Sequence, residues 1–479
     1  MTAYLLERAY VGGAVRDDVL VTVEAGRFAS VTPNATGSPD SGSPDSGNPD
    51  SGSPDSGSPD SGSPAGEGVR GAPTRVPGLT LPGFANGHSH AFHRALRGRT
   101  QAERGSFWTW RERMYAVAAR LDPDSYHALA RATFRELVTA GHTAVGEFHY
   151  LHHQPDGTAY ADPLAMAEAV LAAAREAGIR IALLDTCYLA AGIGRAPEGV
   201  QRRFSDGDAE RWAARASALH ARVVPADGVR VGAALHSVRA VPRDQLGVVA
   251  DWSRHQGAPL HVHLSEQVAE NEACLAAYAV TPTALLAEAG AWGPRTTAVH
   301  ATHLTAEDVA VLGATSTSAC FCPTTERDLG DGIGPSRALH DAGARLTLGS
   351  DSHAVVDPFE EMRAVELDER LATRERGHWA AGELLDAGTS ATQASLGFPD
   401  AGRIEVGCRA DLVTIDVATA RTAGTGADER TAVFAATTAD VVQVVVDGRV
   451  VLAAGERPER DREVGAELQK AIASLEAAR

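Results

Sequence analysis

The stretch LPGFANGHSH, residues 81–90, ends a candidate β-strand on two histidines, His88 and His90. Because alternate side chains of an extended strand share a face, both imidazoles point to the same side. Three more residues follow apolar runs of strand length further along the chain: His263 in APLHVHLSE, His300 in TTAVHATH and Asp351 in LTLGSDSH. Nitrogen-rich ligand sets joined by a carboxylate are typical of zinc sites that keep one position open for water. The pattern therefore predicts a metal-dependent enzyme.

The chain between and around these motifs alternates between strand-like and helix-like segments. Ala-rich helical stretches such as DPLAMAEAVLAAAREAG and ERWAARASALHARVV separate most of the strands. The candidate strands are TLPGFANGHSH, HTAVGEFHY, IRIALLDTCY, VRVGAALHSV, PLHVHLSE, TTAVHATH, STSACFCP and ARLTLGSDSH. This alternation predicts an α/β fold, a (β/α)8 TIM barrel over residues 82–402, with its chemistry at the carboxyl ends of the strands.

Both ends of the chain are rich in short β-like runs. They include AYLLERAYV and VLVTVEAG before the barrel, and RADLVTIDV and DVVQVVVDGRVVLAAGE after it, the last with a turn at Asp447-Gly448. We expect residues 1–81 and 403–458 to form one small β-sandwich domain. Residues 37–65 repeat the unit GSPDS, which lacks apolar side chains and predicts a disordered insertion. Residues 459–479 have helical composition and predict a C-terminal helix.

The composition argues against several kinds of partner. A formal net charge of −18 disfavours nucleic acid and anionic membrane surfaces. No window is long and apolar enough to span a bilayer, and the first residues, MTAYLLERAYVGG, lack the features of a signal peptide. Five cysteines in 479 residues form no plausible disulfide framework. We therefore expect a cytoplasmic protein that acts on a small molecule.

Each candidate residue also has an ordinary structural explanation. His261 shares a strand face with His263 and is equally well explained as a hydrogen-bonded core residue, and Glu266 as a solvated turn residue. The five strand-end residues occur in strand order, and this pattern favours a functional interpretation over coincidence. A carboxylate at Glu266 could move a proton between water and substrate. The chain has one lysine, Lys470, outside the barrel, so it has no lysine to bridge two metals. One metal ion therefore fits better than two.

Longer motifs extend this pattern from Pro82 to Glu361. They are PGFANGHSHAFHRAL, SFWTWRERMY, VGEFHYLHH, LHSVRAV, HVHLSEQ, VHATH, CPTTERDLGDG and LGSDSH. Together they resemble the amidohydrolase superfamily, its mononuclear deaminase branch, and within that branch the formimidoylglutamate deiminases. The segments HSHAF, EFHYLHH and TTERDLGDG are more specific than the metal motif of the superfamily. The run from Gly407 to Val413 resembles the superfamily's small sandwich domain.

The resemblance implies one zinc ion and a set of catalytic residues. The implied zinc ligands are His88, His90, His263 and Asp351. Glu266 and His300 are implied to act with Asp351 on the substrate and on the attacking water.

The resemblance also implies a binding site for the glutamate portion of a substrate. The matching positions are His93, Arg111, Tyr150, His236 and Arg239. His93 departs from the family, which commonly has glutamine there, and an imidazole differs from an amide in reach and charge.

The implied reaction is zinc-dependent hydrolytic deimination of N-formimidoyl-L-glutamate to N-formyl-L-glutamate and ammonia, a step of histidine degradation. Paired arginines suit the two carboxylates of this substrate. The alternative is another mononuclear deaminase of the branch, acting on an aminopurine, aminopyrimidine or triazine ring. A non-catalytic assembly subunit and a scaffold built on the acidic repeat are further alternatives. Another divalent ion such as iron would also suit the ligands, and the outer helices would permit a homodimer.

Two further clusters invite a functional interpretation but are better explained structurally. The histidines of EFHYLHH, which are His149, His152 and His153, are expected to support the fold. Cys320 and Cys322 share one strand face, and two thiols alone rarely bind zinc, so we expect them to pack in the core.

Overall fold

The computed structural model describes residues 1–36, 72–101, 105, 107–223 and 228–477. The predicted insertion at residues 37–65 lies outside this part of the chain. The strands of the described part are β1 Thr2–Val11, β2 Ala14–Glu24, β3 Arg27–Thr32, β4 Thr74–Pro82, β5 Phe84–Ser89, β6 His142–His149, β7 Arg180–Cys187, β8 Val229–Leu235, β9 Leu260–Leu264, β10 Thr296–His300, β11 Ser318–Phe321, β12 Arg345–Leu348, β13 Leu412–Ile415, β14 Val441–Val446 and β15 Arg449–Leu452.

The helices connect and cover these strands. The α-helices are α1 Phe107–Ala118, α2 Pro123–Thr139, α3 Ala165–Ala177, α4 Ala209–Val223, α5 Arg243–Gln256, α6 Val268–Tyr278, α7 Pro282–Glu288, α8 Ala306–Ala314, α9 Pro323–Leu329, α10 Ser336–Asp341, α11 Pro358–Thr373, α12 Ala381–Asp386, α13 Thr392–Ser395, α14 Glu429–Phe434 and α15 Arg457–Ala477. Three short 3-10 segments lie at Ala91–Leu96, Gly199–Phe204 and Thr438–Asp440, and a π-helical turn at Ala387–Ala391.

Strands β5 to β12 form one eight-stranded parallel sheet in which spatial order follows chain order. The first and last strands meet at their carboxyl ends, where the N–H groups of Ser350 and Asp351 donate to the carbonyl of His88 at 3.1 and 2.9 Å. The predicted (β/α)8 barrel is therefore confirmed. Every residue of β6 and β7 is buried, because side chains fill the barrel inside and helices cover it outside.

The turns between elements follow local sequence signals. Asp122 caps helix α2 by accepting from the N–H of Ser125 at 2.8 Å, with Pro123 at the first helical position. Helix α3 ends at Gly178, whose φ of 79° suits a residue without a Cβ. Such short connections return the chain to the sheet, so the polar strand ends collect on one face of the barrel.

Both ends of the chain form a second, seven-stranded sheet in the order β15-β14-β13-β4-β1-β2-β3. Strands β1 and β4 run parallel, and the other neighbours are antiparallel. The β14–β15 hairpin turns at Asp447 and Gly448, which both have positive φ (47° and 73°), as the predicted turn requires. This sheet is the small domain that the sequence predicts from the two chain ends.

The small sheet and the barrel are joined by a buried ion pair. Arg180 at the start of β7 donates from Nη1 to Asp411 at 2.9 Å and to Asp447 at 3.1 Å. Helix α15 packs on α2, where Arg135 pairs with Glu463 at 2.8 Å. None of the helices in the described ranges is long and apolar enough to cross a membrane.

Candidate metal centre

The histidines and the aspartate of the strand-end motifs converge at the carboxyl end of the barrel. His88 lies in β5, His90 directly follows that strand, His263 lies in β9 and His300 ends β10. The Nε2 atom of His88 lies 3.0 Å from Nε2 of His263 and 3.3 Å from Oδ1 of Asp351. Nε2 of His90 lies 3.3 Å from the same carboxylate oxygen. The donor atoms of His88, His90 and His263 lie within 4.8 Å of one another, and the Asp351 carboxylate adjoins the first two.

The protonation of the imidazoles tests whether a metal ion fits this cluster. The Nδ1–H groups of His90 and His263 donate to the carbonyls of Phe148 (3.0 Å) and His236 (2.9 Å), which leaves both Nε2 atoms as acceptors. Burial lowers the pKa of His90 to about 3, so its ring is neutral. Its Nε2 lone pair therefore faces a carboxylate oxygen of Asp351, and two buried acceptors in contact call for a cation between them. The donor set fits a divalent metal ion.

The backbone at two of these residues is strained. His300 and Asp351 have φ values of 67° and 42°, in the left-handed region that side chains with a Cβ rarely adopt. His300 is the last residue of β10, and Asp351 lies three residues after the end of β12. Strain of this kind persists where the surrounding structure enforces it, and it is common at functional sites.

A second carboxylate and an imidazole stand beside the cluster. Burial raises the pKa of Glu266 to about 7, although His300 and Arg239 oppose the shift. Burial disfavours the charged form of His300, but Glu266 and a hydrogen bond to Glu326 raise its pKa well above the usual range. The Glu326 carboxylate is 3.2 Å from Nδ1 of His300 and also accepts from the N–H of Cys322 at 2.8 Å. This arrangement can hold and transfer protons next to the metal cluster.

Sequence reasoning missed the residues that support the cluster from behind. Ser89 lies between the two strand-end histidines and faces the other way, where its hydroxyl contacts Glu147 (2.7 Å) and His353 (2.9 Å). Asn86 donates to Ser350 at 2.7 Å and so links β5 to the chain after β12. The alternation of side chains along the HSH motif was the signal that Ser89 contacts a different layer, but it could not identify the partners. Glu326 was likewise missed as a partner of His300, although it lies in the TTERDLGDG motif.

The remaining predicted residues line one cavity with the cluster. Its walls include all of the predicted site residues except His88: His90, His93, Arg111, Tyr150, His236, Arg239, His263, Glu266, His300 and Asp351. The structure therefore brings together, in one cavity, residues from His90 to Asp351 that lie 261 positions apart in the sequence.

The two arginines of the cavity differ in their surroundings. The Arg111 guanidinium lies 4.4 Å from the ring centre of Trp108, and it forms no ion pair with any carboxylate of the described residues. Arg239 donates from Nε to Glu270 at 2.7 Å. Nη2 of Arg239 also lies 4.0 Å from a carboxylate oxygen of Glu266, so two buried carboxylates hold Arg239, in contrast to Arg111.

A histidine and a tyrosine complete the wall between the arginines and the cluster. Nε2 of His93 is 3.0 Å from the hydroxyl of Tyr150, and the rings of His93 and His90 lie 4.4 Å apart. The imidazole therefore fills its position with a hydrogen bond to Tyr150, where glutamine is common in the family that the sequence resembles.

The two clusters expected to be structural have structural contacts. His152 donates to the carbonyl of Thr186 at 2.9 Å, and His153 contacts Asp206 at 3.0 Å. Cys320 and Cys322 are buried beside Val299. His261 is a buried strand residue 3.5 Å from the carbonyl of Ser395.

Comparison with known proteins places this geometry among related enzymes. The model of the amidohydrolase family matches residues 79–451. A formimidoylglutamate deiminase from Pseudomonas aeruginosa is 39% identical over 354 residues, which are 71% of this chain and 77% of that protein. An 8-oxoguanine deaminase from the same organism is 30% identical over 392 residues, which are 78% of this chain and 83% of that protein. The crystal structure of an amidohydrolase from Brucella melitensis superposes with a TM-score of 0.85 at 30% identity, over 99% of this chain and 100% of that one.

Proposed function

Because the chain belongs to the amidohydrolase family and is a hydrolase of carbon–nitrogen bonds, we propose that it deiminates N-formimidoyl-L-glutamate. The products are N-formyl-L-glutamate and ammonia. One observation carries the proposal: two arginines, Arg111 and Arg239, line the same cavity as the metal cluster. The metal cluster would bind the amidine group and the two arginines would bind the two carboxylates. The charges of the site, and their order along the cavity, therefore match those of a formimidoyl dicarboxylic acid.

The cofactor in this proposal is one zinc ion. His88, His90, His263 and Asp351 would hold it, since the three histidine donors lie within 4.8 Å of one another and the carboxylate adjoins two of them. When bound, zinc lowers the pKa of a coordinated water and so supplies the nucleophile near neutral pH. Because Nδ1–H of His90 and of His263 donates to a backbone carbonyl, Nε2 of each ring keeps a lone pair for the metal, which supports this ligand set.

Different side chains of the cavity carry out the individual proton transfers. Asp351 accepts a proton from the attacking water as the new C–O bond forms at the formimidoyl carbon. His300 donates a hydrogen bond to the attacking oxygen and stabilises the tetrahedral intermediate. Glu266 delivers a proton to the departing nitrogen and takes up the hydroxyl proton of the intermediate as the C=O bond forms, so the C–N bond breaks and ammonia leaves. Glu326 holds the His300 ring in position through Nδ1.

The carboxylate end of the substrate is bound further up the cavity. Arg111, stacked on an indole ring, would pair with one carboxylate, and Arg239 with the other. His93 and Tyr150 lie between the arginines and the cluster and would contact the glutamate backbone of the substrate. A planar nucleobase would offer neither arginine a carboxylate and would leave Arg111 without an anionic partner among the described residues, which favours the amidine over the ring substrates of related deaminases.

The test is turnover by the purified, zinc-loaded protein. N-formimidoyl-L-glutamate is supplied, ammonia is followed, and the remaining acid is identified by mass spectrometry. Ammonia and N-formylglutamate in equal amounts, absent with Asp351→Asn, would support the reaction and the site. Release of glutamate and formamide would mean that a different bond is cut. Turnover of 8-oxoguanine or adenosine derivatives but not of the amidine would replace the proposal with ring deamination.

A further inference from the structure

A buried glutamine joins two walls of the cavity. Gln201 lies in the 3-10 segment Gly199–Phe204, and its side-chain amide donates to the hydroxyls of Tyr115 at 3.0 Å and Tyr188 at 2.9 Å. Both tyrosines line the cavity, whereas the glutamine does not. Gln201 is 5% exposed, and its Oε1 accepts from the N–H of Glu198 at 3.1 Å, which fixes the orientation of the amide. Each polar atom of this side chain therefore has a defined partner.

The two tyrosines belong to different parts of the substrate-binding wall. Tyr115 is one helical turn after Arg111 on α1, and the Arg111 guanidinium lies 5.5 Å from its ring centre. Tyr188 directly follows β7, and its ring packs edge-on against His236 at 4.6 Å. The amide of Gln201 thus connects the helix that carries one arginine to the barrel wall that carries His236.

The rest of the 3-10 segment fastens the same helix. Arg203 is fully buried and donates to the carbonyls of Ala118, at the end of α1, and of Leu121, the latter at 2.8 Å. The Phe204 ring packs against Tyr115 and Tyr188 at 6.2 and 5.3 Å between ring centres. Helix α1 is therefore held partly by this segment and partly by the 3-10 segment Ala91–Leu96, where Trp110 packs on His93 at 5.0 Å between ring centres. Gln201 supplies the side-chain hydrogen bonds that join Tyr115 of α1 to Tyr188 of the barrel wall.

We infer that Gln201 is a positioning residue that sets the distance between Arg111 on α1 and the barrel-borne His236 and Arg239. The inference rests on the proposed function, because it assumes that this wall binds a dicarboxylate. Arg111 forms no ion pair with a described carboxylate, so its position depends on its ring contacts and on the anchoring of α1. Loss of the amide would leave Tyr115 and Tyr188 without their shared donor and would let the helix shift. Binding of the carboxylates would weaken while the acid–base groups stay in place.

The test compares three variants. Gln201→Leu removes the amide at similar volume, and Gln201→Glu keeps the shape and can accept hydrogen bonds from both tyrosine hydroxyls. Gln245→Leu is the matched control, since the Gln245 side chain accepts from the N–H of Ala209 on the outer helices and is absent from the described lining of the cavity. KM and kcat are measured with N-formimidoyl-L-glutamate, the Kd of N-formyl-L-glutamate by calorimetry, and zinc content and Tm for every variant.

We expect Gln201→Leu to raise KM and Kd roughly tenfold, the scale of a hydrogen bond lost from a binding wall, with kcat within about twofold. Gln201→Glu should recover most of the affinity, and Gln245→Leu should match the wild type. Unchanged KM and Kd in Gln201→Leu would overturn the inference, as would equal losses of zinc, Tm and kcat in both Gln201 variants. A wild-type protein that neither turns over the substrate nor binds the product would instead overturn the proposed function.

Discussion

The carbonyl oxygen of His88 accepts a hydrogen bond from the N–H of Asp351 at 2.9 Å. This bond helps to close the barrel, because it joins the end of its first strand to the segment that follows its last strand. The side chains of the same two residues approach to 3.3 Å between Nε2 and Oδ1. Closure of the sheet therefore brings two side chains of the metal cluster together, and we expect a bound ion to stabilise both.

Removal of the metal should lower the stability of the whole barrel. A ligand that binds only the native state adds RT ln(1 + [L]/Kd) to the free energy of unfolding, about 4 kcal/mol at a thousandfold excess over Kd. We expect dialysis against a chelator to lower Tm by at least about 5 °C and to abolish turnover. One equivalent of zinc per chain should restore both, as measured by calorimetry and metal analysis. An apoprotein with the Tm of the zinc-loaded protein would contradict the link between closure and the ion.

The fold and the metal cluster could be predicted because their signals are periodic and local. The strand count came from the alternation of apolar runs with Ala-rich helices, and each cluster residue sits at the end of such a run. The positive φ values of His300 and Asp351 could not be predicted in this way, because neither residue type demands a left-handed backbone. They result from the surrounding packing.

The contacts that support the site could also not be predicted from the sequence. Glu326 lies four residues after Cys322, and its pairing with His300 depends on two strands that are adjacent only in the folded barrel. Gln201 has no motif of its own and acts through two tyrosines from distant segments. Such pairings are set by tertiary geometry, and side-chain chemistry alone does not identify them.

Replacement of Glu326 by glutamine should slow the chemical step without loss of the metal. The amide keeps an acceptor for one N–H but removes the negative charge that stabilises a protonated His300. We expect kcat to fall about 10- to 100-fold, with zinc content and KM near the wild-type values. Steady-state kinetics and metal analysis of the same preparation measure this. Glu360→Gln, which alters a carboxylate paired with Arg327 on the outer face of α11, is the control and should leave kcat unchanged. An equal kcat for both variants would contradict the role given to Glu326.

Loss of Arg239 should lower the stability of the protein, whereas loss of Arg111 should not. Arg111→Met and Arg239→Met are both expected to raise KM at least about tenfold, because each removes a charged partner of the substrate. Only Arg239→Met should also lower the free energy of unfolding, by about 3–5 kcal/mol, since it leaves the buried Glu270 without its cation. Urea denaturation measures the difference.

A second substitution separates the two effects of Arg239. Glu270→Gln in the Arg239→Met background removes the unpaired buried charge and should recover much of the lost stability while KM stays high. Equal stability of Arg111→Met and Arg239→Met would show that the ion pair with Glu270 contributes little. Recovery of KM by the double variant would show that Arg239 acts through Glu270 and not on the substrate.

The pH dependence of stability should depend in part on His142, which lies at the start of β6 away from the metal cluster. Burial lowers the pKa of His142 to about 3, against about 6.5 in an unfolded chain. Below pH 6.5 the unfolded state therefore binds a proton that the native state excludes, and the free energy of unfolding falls by about 1.4 kcal/mol per pH unit until pH approaches 3. The variant His142→Gln lacks this contribution, so its stability relative to the wild type should improve by about 2 kcal/mol between pH 6.5 and 4.5. Urea denaturation at the two pH values measures the change, with the exposed His255→Gln as the matched control. A constant difference between His142→Gln and the wild type would mean that the native state accommodates the proton at this position.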